Sequence, residues 1–254
     1  MGKVRLGFFS FTEITDPAEH RSYNEWHQLD HMPEQFPLPG VAFGQRWVAT
    51  PACRRARAVD GPLLGSVHYM TMYLMGEPID HTLDEFLALG VRLRAEGRFH
   101  EARKSRLSGP LTVTGTWAAP RVKVSPEAVP YRPNRGIFVV VNDRHTASVP
   151  LESPSGPPWA AADDDDGAFA RRLLDVNGVA GAWSFATDSR FDRYRWRPGN
   201  RSVVVCFLDD DPVAVSGALG ERTRAHADSG AQVVFAGPFE TITPWRWDWF
   251  DPDR

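Results

Sequence analysis

The residues best equipped for chemistry are His31, within the string Asp30-His31-Met32-Pro33-Glu34, and Arg46 on the segment that follows. A histidine titrating near neutrality passes protons in both directions, and a carboxylate beside it raises its basicity and fixes its orientation. Asp30 and Glu34 are the neighbours placed to do this, with Asp30 the expected orienting residue. Arg46 adds a permanently charged, planar fork of donors that suits an enolate, carboxylate or phenolate. Together they describe proton transfer on a carbonyl-containing molecule. Tyr23, Trp26 and His27 share the same stretch and His68 follows later; all four are expected to shape or line a pocket for a small apolar or aromatic carbonyl compound.

Other constellations are weaker. His27 and His31 have the i,i+4 spacing of zinc ligands, but HQLDH lacks the glutamate of an HExxH site, and no metal is expected. Cys53 and Cys206 lie outside any metal-like cluster and are expected as free thiols. The run Asp163–Asp166 lacks the spaced ligands and turn glycine of a calcium loop and reads as a solvated loop capping the next helix. His226, in RTRAHADSG, reads as a solvated helical residue, and His100 and His145 as surface or loop residues. The terminal WRWDWF is too aromatic for a free tail and is expected to pack on the body of the protein.

These residues must be positioned by elements that the apolar periodicity delimits. An apolar run at Val4–Phe11 precedes a helix that opens at Asp16-Pro17 and reaches about His31, and the strand GVAFGQRWVAT ends at Thr50. A second strand at Val67–Met75, a helix from about Asp80 to Glu101 and a last strand at Leu111–Trp117 complete a βαββαβ order. In the strand at Val67–Met75, His68, Met70, Met72 and Leu74 share one face, and Val67, Tyr69, Thr71 and Tyr73 the other. In the first helix an apolar stripe of Trp26, Leu29, Pro33 and Phe36 is expected to face the sheet, which leaves His27 and His31 on the far side. Pro33 disfavours helical geometry at Met32, so the helix should end near His31 and the turn should swing that ring over a pocket mouth.

Residues 121–135 are rich in Pro and charge, and a second series of the same elements follows: IFVVV at Ile137–Val141, an insertion ESPSGPPWAAADDDDG, a helix near Ala168–Asp175, GVAGAWSFAT, SVVVCFL, a helix near Val213–Ala227, and AQVVFAGPF. The match of GVAFGQRWVAT to GVAGAWSFAT at the same step of the same order predicts a duplication: a first repeat over 1–120, a linker over 121–135 and a second repeat over 136–254. Nine residues before the shared glycine, His31 is matched by Phe169, and Arg46 is matched by Ser184 or, with a one-residue gap, Trp183. The polar pair belongs to the first repeat alone, which is therefore the candidate active half and the second the scaffold. Two half-covered antiparallel sheets bury their apolar faces by stacking, so the expected fold is α+β: two ferredoxin-like units packed into a pseudo-dimeric barrel.

The stretch YNEWHQLDHMPEQFPLPGVAFGQRW resembles the signature of the dimeric α+β barrel superfamily, in its EthD-like branch. The matching parts are Tyr23, Asn24, Trp26, the run Asp30–Glu34, Pro39-Gly40 and Arg46. The superfamily includes cofactor-free cyclases and monooxygenases, muconolactone isomerases and haem-bearing branches, so the resemblance implies a fold and leaves the reaction open. It makes haem the alternative cofactor, with His226 the ligand to test first, and a non-catalytic binding module the third alternative. The expectation carried forward is a cofactor-independent isomerase, dehydratase or cyclase using His31 for proton transfer.

Bulk properties set the remaining limits. A chain of 254 residues, 42% hydrophobic and 24% charged, can bury a sizeable core. A net charge of -3 with scattered Lys and Arg gives no footprint for nucleic acid or an anionic membrane. No segment approaches the roughly 20 apolar residues of a membrane span, and the start lacks a signal peptide's apolar core, so a cytoplasmic protein is expected, with a second copy of the chain as the only macromolecular partner in view.

Overall fold

The computed structural model describes residues 4–144, 165–195 and 199–251. His145 and most of the insertion, including Asp163 and Asp164, lie outside the described residues. The strands are β1 (Val4–Ile14), β2 (Val41–Val48), β3 (Val59–Asp60), β4 (Tyr69–Gly76), β5 (Arg103–Ala118), β6 (Gly136–Asp143), β7 (Val179–Ala186), β8 (Arg201–Leu208) and β9 (Gln232–Thr241). The helices are α1 (His20–Trp26), α2 (Pro51–Arg55), α3 (Ile79–Ala95), α4 (Asp165–Leu173) and α5 (Pro212–Asp228). The fold is α+β around one large antiparallel sheet, ordered β2-β4-β1-β5-β7-β8-β6-β9 with β3 on β9.

Both halves of that order place the second strand of the half outermost, then the third, the first and the fourth, which is the ferredoxin-like arrangement. The halves join where β5 pairs with β7 from Thr112↔Ala186 to Ala118↔Gly181, and again where β2 meets β9 at Trp47↔Thr241 and Val48↔Glu240. The sheet thus closes into a barrel within one chain. Strand alternation fills its interior: Phe9, Phe11, Trp47, Met70, Met72 and Leu74 meet Ile137, Val139, Trp183, Phe185, Val205 and Phe239. The opposite faces of the same strands are covered by helices, with Leu6, Phe8, Tyr73 and Met75 against Leu83 and Phe86 of α3. In the second half Phe138, Val140 and Val204 lie against Phe169 and Leu173 of α4 and Leu219 of α5.

Three local differences from the sequence expectation matter for the site. First, α3 ends at Ala95 and β5 begins at Arg103, well before Leu111. The residues Arg103–Pro110 are too polar to read as a strand, yet they pair with β1 from Ile14↔Arg103 to Phe8↔Pro110. Second, the apolar stripe does not face the sheet: Leu29 and Phe36 are each 46% exposed, whereas His20, Tyr23, Asn24 and His27 are buried. The sheet beneath presents Arg46, Tyr69 and Thr71, so the helix face that fits it is polar and aromatic. Third, Asp166 is buried at the start of α4, where Asn142 Nδ2 and Ser202 Oγ donate to its Oδ1 at 3.2 and 3.0 Å, and is no part of a solvated loop.

The β2–β9 seam is short and depends on Asn134, near the end of the Pro-rich segment 121–135. Its Oδ1 accepts from Trp47 Nε1 at 3.1 Å and from Thr241 Oγ1 at 2.7 Å, and its Nδ2 donates to Gln45 Oε1 at 3.1 Å. Asn134→Ala leaves the buried Trp47 N–H without an acceptor, which costs about 1–3 kcal/mol. Urea denaturation should show a lower midpoint at unchanged slope; an unchanged midpoint would show that the seam holds without this side chain.

Candidate active site

The site lies between the outer face of the first half's sheet and the chain from α1 to Gln35. Asp16 caps the entry, its Oδ1 accepting from Ala18 N at 3.0 Å, and Pro17 opens a short 3-10 turn into α1. After Trp26 the helix widens into a π-helical turn over His27–His31, closed by Met32 N donating to His27 O at 2.9 Å. Such turns re-aim side chains and recur at functional sites. Here the turn keeps His31 on the buried side beneath His27: the two rings lie 5.2 Å apart, Trp26 stacks on His31 at 4.7 Å, and Phe99 meets it edge-on at 5.5 Å.

Arg46 projects from β2 onto this face and is only 4% exposed. Its Nη2 donates to Asn24 Oδ1 at 2.9 Å, and its guanidinium lies 5.3 Å from the Tyr23 ring and 5.8 Å from the Tyr69 ring. Asn24 is held in turn, because its Nδ2 donates to His20 O at 2.7 Å and to Tyr69 Oη at 2.8 Å. The Tyr69 hydroxyl also lies in hydrogen-bond contact with His20 Nδ1 at 2.8 Å. The amide orientation is thereby fixed, and Asn24 can only accept from Arg46. Arg46 Nε and Nη1, His31 Nδ1, Tyr73 Oη and Thr71 Oγ1 are buried with no hydrogen-bond partner among the described residues. Buried polar groups are usually satisfied, so this cluster of donors and acceptors suits a polar ligand.

Electrostatics alter the expected role of the carboxylates. Asp30 does not hold the His31 ring: Arg98 Nη2 and Nε grip its Oδ1 and Oδ2 at 2.9 and 3.2 Å, and Arg98 also takes Glu34 at 2.7 Å. Burial, followed by repulsion from Arg103, drives the His31 pKa down to about 3, with Asp30 opposing and Arg46 and Arg98 adding to the depression. His31 is therefore a neutral imidazole at cellular pH and not the neutral-pH titrating residue expected. His27 is also pushed well below its ordinary value, by burial and then Arg46, and its Nδ1 lies 3.1 Å from Tyr23 Oη. Tyr73 is driven up by burial.

Of the seven residues singled out, Tyr23, Trp26, His27, His31 and Arg46 come together, and Asp30 stands just outside with Arg98. His68 does not join them. It accepts from Ile14 N at 3.1 Å and sits with His20 and Phe250 beyond Tyr69, its ring 4.7 Å from that of His20. Phe250 also stacks on His20 at 3.9 Å, and Trp247 Nε1 donates to Gln28 Oε1 at 2.9 Å, so the terminal aromatic segment packs on α1 while Trp245 stays exposed. Sequence reasoning missed Arg103, Phe99 and Tyr73. Arg103 was hidden in the polar opening of β5; the position of Tyr73 was legible from strand alternation once Arg46 was assigned to the helix-covered face.

His100 is half-buried, not a free surface residue, with Nε2 3.0 Å from Ser22 Oγ. His226 is buried rather than solvated, 2% exposed, with the Phe169 ring stacked flat on it at 4.0 Å inside the packing of α4 and α5. That filled surrounding does not fit a haem. Among the described residues no group of three or more His, Cys, Asp or Glu is arranged to hold a metal, and no helix is long and apolar enough to cross a membrane.

No family model and no curated protein matches the chain. Solved structures do share its fold. An anthrone oxidase-like protein is similar over 95% of this chain and 92% of its own, at 12% identity and a TM-score of 0.52. A protein provisionally assigned as a chlorite dismutase covers 98% of each chain at 10% identity and a TM-score of 0.52. One provisionally assigned as a monooxygenase, from Fusobacterium nucleatum, covers 96% of this chain and 94% of its own at 10% identity and a TM-score of 0.50. The architecture is that of the dimeric α+β barrel proteins; at these identities the likeness carries the fold and not the reaction.

The depressed histidines make stability depend on pH. Unfolded, each ring titrates near 6.5; folded, His20 titrates near 4, His31 and His68 near 3, and His27 is also held low. Above pH 6.5 both states carry neutral rings and the full stability is present. As pH falls from 6.5 towards 4, the unfolded chain takes up protons that the folded chain refuses, and stability is lost. Chemical denaturation across pH 7.5–5 should report an uptake of about three to four protons on unfolding near pH 5. A flat profile would mean that these rings titrate normally.

Proposed function

We propose that this chain is a fused tandem pair of ferredoxin-like repeats of EthD-like type, and that its first repeat is a cofactor-independent proton-transfer enzyme of isomerase, dehydratase or cyclase type acting on a small apolar carbonyl compound. The observation that carries the reaction is the buried Arg46 guanidinium with two donors unused, in the same enclosed cluster as His31, whose Nδ1 is likewise buried without a partner. The duplication is supported by the repeated strand order and by the outward-facing Ser184, at the place of Arg46, while Trp183 turns into the barrel.

The chemistry follows from charge. His31 Nδ1 takes a proton from a carbon next to the carbonyl, the electron pair moves onto the oxygen, and Arg46 Nε and Nη1 receive the developing enolate. A ring titrating near 3 is a weak base while the site is empty of anions. The enolate offsets part of this: burial is the larger cause of the depression, but the negative charge opposes the guanidinium repulsion that adds to it, so the ring gains basicity as the oxyanion forms. The imidazolium then returns its proton to another carbon, which completes an isomerisation, or to a departing hydroxyl, which completes a dehydration. Asn24 acts as a positioning residue through Arg46, and Tyr23, Trp26 and His27 wall the site.

Carbon–hydrogen exchange in deuterium oxide tests this without the natural substrate. Enolisable ketones led by 2-tetralone, followed by proton NMR, should exchange their acidic hydrogens at least 100-fold faster with protein than without it. His31→Gln should abolish the excess while retaining binding, and Asn24→Ala should lower the rate more than the affinity. Bound ketones that exchange no faster than with His31→Gln would overturn the reading.

A further inference from the structure

A pocket of about 500 Å³ adjoins the cluster, walled by Phe8 and Leu87, by Phe99 and Arg103, and by Arg193–Arg195 from the second half. Phe99 and Arg103 belong to both places, since Phe99 meets the His31 ring at 5.5 Å and the Arg103 guanidinium lies 5.9 Å from the Trp26 ring. Arg94 also lines the pocket, and Glu101 is the sole carboxylate doing so. The four arginines are not equivalent. Arg193 pairs with Asp84 and contacts the Tyr194 hydroxyl, and Arg195 pairs with Asp192. Arg94 and Arg103 have no carboxylate among the described residues; they flank the Phe99 ring at 4.2 and 4.8 Å from its centre. Arg94 is exposed and water can solvate it, whereas Arg103 is half-buried, and burial followed by repulsion from Arg94 lowers its pKa.

We propose that the substrate of this site is an acid: a flat, apolar or aromatic body lying along Phe99, carrying a carboxylate that the Arg103 fork receives, in a pocket whose far wall is the Arg193–Arg195 segment of the second half. This rests on the proton-transfer reading and adds the substrate class. A guanidinium that lines a cavity beside two aromatic faces, with no anionic partner among the described residues, keeps donors for a ligand, and its fork matches a carboxylate in shape and charge. Phe8, Leu87 and Phe99 on one side of an otherwise polar lining, and the two aromatic faces against Arg103, suit a planar ring. The pocket also explains why β5 begins with polar residues: Arg103, Ser105 and Ser108 line it from one strand.

The test compares two probes with the same body, 2-naphthoate and the neutral 2-acetylnaphthalene, by calorimetry at low salt. The wild type should bind the acid at least tenfold more tightly than the ketone. Arg103→Met should erase that preference with the ketone's affinity kept within about threefold, and Arg103→Lys should restore part of it; thermal melts of both variants check folding. Equal binding of the two probes by the wild type, or a preference surviving in a folded Arg103→Met, would overturn the proposal. Its failure and that of the reaction are separable, because wild-type exchange of 2-tetralone reads the reaction on a neutral molecule and the probe pair reads only the acid.

Discussion

The structure of the first half turns on one buried charge. Arg46 sits under α1 with a single side-chain acceptor, Asn24 Oδ1, and the rest of its fork uncommitted. A guanidinium taken out of water costs several kcal/mol unless neighbours compensate. The compensation here is made of neutral dipoles and ring faces, not of a carboxylate: Asn24, Tyr23 and Tyr69 surround the group. Each consequence follows from that choice. The helix face covering Arg46 has to be polar and aromatic, which is why Tyr23, Asn24 and His27 are buried while Leu29 is in water. The histidines near the charge have to be neutral: burial first, and guanidinium repulsion after it, hold His27 and His31 far below their ordinary range.

The barrel explains how such a face is tolerated. Its interior is filled from both halves by aromatic and branched side chains, so stability does not depend on the outer face of β2 and β4 being apolar. The second half uses the equivalent outer face differently: Ser184 donates to or accepts from Thr114 at 2.7 Å, and Phe169 and His226 stack in a sealed cluster. One half leaves a buried guanidinium's fork partly uncommitted, whereas the other gives its buried Asp166 the partners Asn142 and Ser202, and closure in a single chain lets them differ in this way.

The sequence made the barrel legible because strand alternation is set locally. Met70, Met72 and Leu74 could be separated from Tyr69, Thr71 and Tyr73 by parity alone, and the structure keeps that division within β4, while Val67 and His68, which precede the strand, fall on the faces opposite to those expected. It was less informative for α1, where apolarity was taken to mark the buried stripe. That inference fails when the sheet beneath is itself polar, and nothing within α1 announces the state of β2. The polar opening of β5 failed for a related reason: Arg103 and Ser105 face a pocket, so the strand lacks the apolar alternation that identifies one. Asp30 was placed correctly in the chain but given the wrong partner, since Arg98 arrives from a loop far along the sequence.

That partner choice bears on how the site works. A carboxylate against His31 would raise its basicity but would also neutralise Arg46 and Arg103 and repel an anion. Arg98 instead gathers Asp30 and Glu34 at the rim, which leaves the enclosed space positive. Two uncommitted guanidiniums then have distinct uses. Charge already present on a bound molecule is stabilised equally before and during reaction, so a guanidinium that meets it contributes affinity alone. Charge that appears only as a proton leaves carbon is stabilised differentially, so a guanidinium that meets it contributes rate. On the proposed reading Arg103, at the pocket wall, serves the first purpose. Arg46, deeper and fixed by Asn24, serves the second, and the weak basicity of His31 in the resting protein comes first from its burial and then from the guanidinium charge around it.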